Sequence, residues 1–176
     1  MRPSETYDRL SRALHWIAAI LIVLAWALME MEDLFPKGSE GRRMLKLLHY
    51  DTGLLALVLL APRLPWRWLH PVVELDAALW MKRFATLTKA ALYTLMLLVP
   101  LSGLATLQAK GESVAFLGFV LPDLFSGLAP YRKAVKEVHE VLSNALLLLA
   151  AAHAAAALWH HFVFRDATLR RMVGRR

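Results

Sequence analysis

Four apolar stretches, residues 14–29, 45–64, 85–107 and 138–164, limit what this chain can fold into. Each approaches or exceeds the roughly 17–25 residues needed to cross the hydrocarbon of a bilayer once interfacial turns are added. Charged, Pro- and Gly-containing stretches separate them, a partition that a soluble core does not require. Backbone groups in lipid must be satisfied internally, and the alternation of barrel strands is absent, so all four spans are predicted to be helices. The expected fold is all-α, a four-helix transmembrane bundle, with residues 1–176 forming one integral membrane domain. Hydrophobic residues make up 58% of the chain, above the level of an ordinary soluble domain and in line with a bilayer environment.

The connections carry their own signals. Residues 72–82, with Glu74, Asp76 and Trp80, read as a loop or short interfacial helix. Residues 113–130 are apolar but broken by Gly118, Pro122, Gly127 and Pro130, which predicts a partly ordered cap rather than a fifth span. The first span follows a short basic segment and contains Ala25-Trp26-Ala27, a pattern shared with cleavable signal peptides. Its length and the presence of His15 favour a retained helix.

Basic residues set the expected orientation. With both termini on one side, that side holds Arg2, Arg9, Arg12, Arg63, Arg67, Lys82, Arg83, Lys89, Arg165, Arg170, Arg171, Arg175 and Arg176, the majority of the 21 Lys and Arg. The opposite side holds Lys37, Arg42, Arg43, Lys46, Lys110, Arg132, Lys133 and Lys136. The richer side, with the N- and C-termini, is expected to be cytoplasmic. A net charge of +7 in this setting reads as orientation signals and headgroup contacts, not as a nucleic-acid surface. The absence of cysteine excludes disulfides, thiolate metal sites, iron–sulfur clusters and the covalent attachment of a c-type haem.

Histidine is the residue type that carries chemistry here. Ionisable side chains inside spans are costly unless they have a partner or a task. His139 and His153 are separated by about 21 Å of helical rise and about 40° of rotation, so they share a face at opposite membrane depths. His15 sits just inside Arg12 at the inner end of the first span, the depth of His153; His49 sits just inside Lys46 at the outer end of the second, the depth of His139. Antiparallel packing thus predicts two imidazole couples, His15 with His153 and His49 with His139.

A couple of neutral imidazoles from facing helices suits a six-coordinate b-type haem, with each histidine an axial ligand to iron and no open position for oxygen chemistry. Gly53, one turn from His49, and the alanines around His153 leave room for a flat macrocycle, although small residues also mark close helix packing. Taken singly, each histidine also reads as a packing or hydrogen-bonding residue. The agreement of four depths and faces favours two haem b groups. His160 lies about 31 Å along the helix from His139, too far to share the level of His15, and suits a proton or quinone at the interface or an ordinary interfacial histidine. His70 has no evident role.

An ordered set of segments resembles the bacterial cytochrome b-561 family of small di-haem membrane cytochromes. The set comprises Tyr7-Asp8-Arg9-Leu10, Leu14-His15-Trp16, Leu48-His49 with Gly53, Arg63-Leu64, Trp66-Arg67, Leu92-Tyr93 with Pro100 and Gly103, His139-Glu140, His153 to Ala157, His160-His161 and Asp166 to Leu169. The resemblance implies the same four axial ligands, a multi-pass location in the bacterial inner membrane, and electron exchange with membrane quinone near the cytoplasmic haem. Some members of the family oxidise superoxide at the periplasmic face and reduce ubiquinone. Where the family commonly has a histidine one turn before the third-span tyrosine, this chain has Lys89. Arg9, Arg12 and His160 are the quinone-side candidates. Arg42, Arg43, Lys46, Arg132, Lys133 and Lys136 are candidates for steering an anion such as superoxide, or for binding haem propionates or lipid phosphates, with Glu30, Glu32, Asp33 and Glu40 diluting the field. The alternatives are a cytochrome anchor subunit that docks a dehydrogenase or hydrogenase as its redox partner, and a haem-free transporter of metal or protons.

Overall fold

A computed structural model describes residues 6–73 and 78–174; Glu74 and Asp76 of the second connection, and Arg2, Arg175 and Arg176 of the charge pattern, lie outside the described residues. Four helices are long and apolar enough to span a membrane: α1 (Arg9–Glu32), α2 (Glu40–Leu69), α3 (Leu79–Gln108) and α4 (Arg132–Trp159). A short α5 (Thr168–Val173) follows α4 after a π-helical turn at His160–Phe164.

Each helix starts before the apolar stretch that predicted it, and α1, α2 and α3 also run past its end, because helical hydrogen bonding continues through polar residues at the interface until a cap or a breaker ends it. α4 stops at Trp159, where the π-helical turn takes over the last five residues of its stretch. Asp8 caps α1, its carboxylate accepting from the Ser11 amide at 2.9 Å. Ser39 caps α2 through the Arg42 amide at 3.3 Å. At its other end α2 runs past residue 64, through Pro62 and Pro65, since each proline removes only one ladder bond. His70 closes it, donating its amide to the Trp66 carbonyl at 3.0 Å and stacking on the Trp66 ring at 4.0 Å. Residues 79–82, read as part of the connection, form the first turn of α3.

Residues 113–130 fold into a hairpin of β1 (Ala115–Phe116) and β2 (Phe119–Val120), followed by a 3-10 turn at Ser126–Tyr131. Leu117 and Gly118 both take positive φ, as a tight two-residue hairpin turn requires. Gln108 fastens this cap to the end of α3. Its side-chain amide donates to the Pro122 carbonyl at 2.8 Å and its oxygen accepts from the amides of Leu124 and Phe125 at 3.0 and 3.2 Å.

The helices pack as two hairpins, α1 on α2 and α3 on α4, joined through α2 and α3. α4 meets α1 only sparingly, so the bundle is held open along the faces that α4 turns towards the first hairpin. One layer crosses this opening: Ala18 of α1, Leu60 of α2, Met96 of α3 and Leu146 of α4 form a buried cluster. Leu146 lies midway along α4 between His139 and His153, so the layer separates the two histidine levels. A second cluster, Leu54, Leu104, Leu107 and Val114, seats the cap on the end of the bundle that holds His49 and His139. That end is labelled outer by the expected orientation, the end with His15 and His153 being inner. Large apolar side chains such as Ile20, Val58, Leu87 and Leu148 point outward, the surface expected against lipid rather than water.

Candidate functional site

His15 on α1 and His153 on α4 face one another with ring centroids 6.4 Å apart; His49 on α2 and His139 on α4 do so at 6.3 Å. A metal–imidazole bond of about 2 Å, with about 1.1 Å more from ring nitrogen to ring centre, gives two imidazoles that share one ion a centroid separation of about 6.2 Å at most. Both couples therefore lie close to the spacing of rings that share a metal. The ring planes cross steeply, at 66° and 77°. Among the described residues there is no group of three or more His, Cys, Asp or Glu side chains able to hold a bare ion. Two imidazoles without further protein ligands suit an ion whose other four ligands arrive with it, which is the donor set of a porphyrin. Space agrees at Gly53, where an added Cβ would meet nothing within 4 Å.

The atoms behind the outer rings fit ligation through Nε2. His49 Nδ1 lies 2.8 Å from the Ala25 carbonyl, and His139 Nδ1 lies 3.1 Å from the Val99 carbonyl. A carbonyl only accepts, so each Nδ1 carries the proton and each Nε2 keeps its lone pair. Ser102 donates to the same Val99 carbonyl at 2.8 Å and stands 3.0 Å from His139 Nδ1 as a second acceptor. Gly103 lets the ring come close to α3: a Cβ there would sit 3.1 Å from His139 Cε1.

The inner couple differs. His15 Nδ1 faces the Arg63 guanidinium at 3.0 Å, and Arg63 also reaches the Leu14 carbonyl at 3.5 Å while lying over the Tyr93 ring at 5.4 Å. Below it, Asp8 ties the helix ends together, accepting from the Trp66 indole at 3.2 Å. Burial pushes the Asp8 carboxyl up, but the bonds from Ser11, Trp66 and Leu10 outweigh it and hold its pKa at about 2.

Of the basic residues near the outer couple, four are taken up by carboxylates. Glu32, 5% exposed, holds Arg42 at 2.6 Å and Lys46 at 3.2 Å; Arg43 pairs with Glu40 and Lys136 with Glu140. Of the six anion-steering candidates, Arg132 and Lys133 are thus the two left without a carboxylate partner among the described residues. These form no ion pair among the described residues and line an open concavity with Tyr131 at the start of α4.

On the inner side, no hydrogen bond or ion pair joins the three quinone-side candidates among the described residues. Arg9 is exposed, the Arg12 guanidinium lies against Gly174, and His160 Nδ1 meets Asp166 at 2.5 Å. The π-helical turn and the left-handed Arg165 (φ 53°) fold Asp166 back onto His160. Burial raises the Asp166 carboxyl, yet its bonds to His160 and Thr168 prevail and lower its pKa below the usual carboxylate value. His161 Nδ1 is buried without a hydrogen-bond partner among the described residues. Lys89 is exposed on α3, one turn before Tyr93.

Sequence reasoning assigned no role to Asp166, Ser102 or Arg63 at these sites. Ser102 and Arg63 are polar groups within spans, a signal that marks them as worth placing. Asp166 lies in a run noted only for its resemblance, and nothing local foretells the π-helical turn that brings it to His160.

The profile of the family described as prokaryotic cytochrome b561 matches residues 6–175. The chain is 35% identical over 165 residues to cytochrome b561 homolog 1 of Escherichia coli K12, covering 93% of this chain and 94% of that protein. It is 32% identical over 177 residues to cytochrome b562 of Cereibacter sphaeroides, covering 98% of each. It is 27% identical over 171 residues to a probable superoxide oxidase of Yersinia pestis, covering 96% of each. With four spanning helices in one bundle and a profile match along nearly its whole length, this chain belongs to the prokaryotic cytochrome b561 family, the b-type haem electron-transfer proteins of the bacterial inner membrane.

Proposed function

We propose that the chain carries two haem b groups, one between His49 and His139 and one between His15 and His153, and moves electrons from a donor at the outer face to membrane quinone at the inner face. The observation that carries this reading is the presence of two imidazole couples, at opposite ends of the bundle, each close to the separation of rings sharing one ion. When bound, haem supplies a one-electron redox centre at each level, and the protein's part is to hold, orient and tune. The carbonyls of Ala25 and Val99 keep the outer imidazoles in the tautomer that offers Nε2. The apolar layer of Ala18, Leu60, Met96 and Leu146 stands between the two levels.

Superoxide is the donor we favour, since one relative of similar length is named a probable superoxide oxidase and Arg132 and Lys133 present free positive charge near the outer end. Two superoxide anions would each lose one electron to give two dioxygen molecules. One ubiquinone would gain those two electrons and two protons to give the quinol. His160, paired with Asp166, is placed to pass protons at the inner interface. We place both termini on the cytoplasmic side, following the excess of Lys and Arg there.

The test is haem quantification and a reduced-minus-oxidised spectrum on the purified chain and on His15→Ala, His49→Ala, His139→Ala and His153→Ala. Two haems per wild-type chain are expected, with His15→Ala and His153→Ala losing the same one and the other two variants losing its counterpart. A chain without a b-type haem band sinks the reading. Quinone reduction driven by a superoxide-generating system, with no partner protein present, then separates this function from that of an anchor subunit.

A further inference from the structure

Arg63 is a cation inside a span that forms no ion pair with any carboxylate among the described residues. Its neighbours are the His15 ring nitrogen, the Leu14 carbonyl and the Tyr93 face, and it is half-buried. Of the acids at this end of the bundle, Asp8 is committed to Ser11 and Trp66 and Asp166 to His160 and Thr168, while Glu74 and Asp76 lie outside the described residues. An arginine at membrane depth without a counter-charge is costly, so its presence calls for an anion not supplied by the described residues.

Its contact with His15 points to which anion. A guanidinium only donates, so in the contact seen here His15 Nδ1 accepts. An imidazole that binds iron through Nε2 carries its proton on Nδ1 and needs an acceptor there. Two donors do not bond, so the guanidinium must turn from His15 when that ring takes up iron. A haem arriving at this level brings two propionate carboxylates, the planar anions that an arginine fork matches.

We infer that Arg63 is the residue that pairs with a propionate of the inner haem and raises its midpoint potential above that of the outer haem. This inference rests on the two-haem reading above. A fixed positive charge favours the reduced, less positive iron. The outer imidazoles, by contrast, donate to carbonyls, which makes them more basic ligands and favours the ferric state. Near the outer couple Arg42, Lys46 and Lys136 come with Glu32 and Glu140, and the unpaired Arg132 and Lys133 are exposed to solvent screening, whereas Arg63 is half-buried and comes with no carboxylate among the described residues. Both differences incline the electron from the outer level to the inner one.

The experiment compares Arg63→Gln and Arg63→Lys in the full-length chain, reading haem per chain and, by spectroelectrochemical titration, the midpoint of each haem. Adding His49→Ala removes the outer haem and assigns the remaining midpoint to the inner one. Arg63→Gln should lower the inner midpoint by about a tenfold change in the reduction equilibrium, 59 mV for one electron, and leave the outer midpoint in place. Arg63→Lys should keep most of the potential. Loss of only the inner haem in Arg63→Gln, with retention in Arg63→Lys, also supports the assignment. An unchanged inner midpoint in Arg63→Gln with both haems present overturns it, as does equal loss of haem in both variants. A wild-type chain with fewer than two haems fails the underlying reading instead, and is seen before either variant is made.

Discussion

The outer and inner histidine couples agree in ring separation, 6.3 and 6.4 Å, and differ in what stands behind the rings. Behind His49 and His139 are backbone carbonyls, a serine hydroxyl and a glycine that admits the ring to within contact distance. The carbonyls and the glycine backbone are held by the helices and cannot turn away. Behind His15 is a long, charged side chain with other acceptors within reach, and His153 has no hydrogen bond of its own among the described residues. The outer site is organised by backbone and the inner one by a movable charge. Equal ring spacing can thus be supported by rigid polar scaffolding or by an adjustable electrostatic partner, and the second offers more control over potential and less over position.

Gly103→Leu gives the largest expected effect and strikes the rigid side of this contrast. A Cβ alone would stand 3.1 Å from the His139 ring, so the longer side chain should displace it. Haem stoichiometry should fall from two to one per chain, with the inner spectrum retained; retention of both haems would show that the outer site is not set by this close approach.

Asp166→Asn addresses the inner side. Loss of the carboxylate facing His160 should slow quinone reduction on the order of a hundredfold, within the range for a positioned proton-transfer group, while haem content and both midpoints stay unchanged. Because the Asp166 pKa is depressed, its carboxylate is fully present above the ordinary Asp value of about 3.9. Its contribution should be lost only as pH falls through its lowered folded-state pKa. Steady-state rates across pH check both statements, and a rate equal to wild type removes the pair from the quinone step.

Ser102→Ala refines the outer site. It deletes one acceptor of His139 Nδ1 and leaves the Val99 carbonyl, so haem affinity at the outer level should weaken by about tenfold, the low end for a supporting partner of a metal ligand. Competition with apo-myoglobin for haem measures it. If the inner haem leaves first instead, the carbonyl scaffold is not what makes the outer site firm.

Asp8→Ala should have the smallest effect. It removes the cap of α1 and the link to Trp66 beneath the inner couple, costing about 1 kcal/mol of stability with haem content unchanged. With its pKa at about 2, the carboxylate cap is present at all pH values above the ordinary Asp range and fades only as pH falls towards 2. Thermal unfolding in detergent at pH 7, compared with wild type, reads the difference.

Much of this was legible along the chain. The spans announced themselves because hydrocarbon thickness imposes a length, and the facing of His15 with His153 and of His49 with His139 followed from helical rise and antiparallel order. The helix ends were harder. Polar residues such as Arg9 and Ser11, or Trp66 and Arg67 after two prolines, carry no hydropathy signal for helix, yet Asp8 and His70 cap the helices beyond them. The state of the basic residues also escaped the sequence. Glu32 was seen as a neighbour that dilutes charge, whereas its buried carboxylate holds both Arg42 and Lys46.

The sequence by itself determined the number of helices long and apolar enough to cross a bilayer and the level of each histidine along its helix, because these follow from properties of a single helix: its length, its rise per residue and the cost of burying polar groups. Only the tertiary structure decided that a guanidinium stands behind one imidazole and a carbonyl behind another, and that Asp166 reaches His160. Those contacts join residues on different helices or across an irregular turn, where periodicity carries no information about which atoms meet.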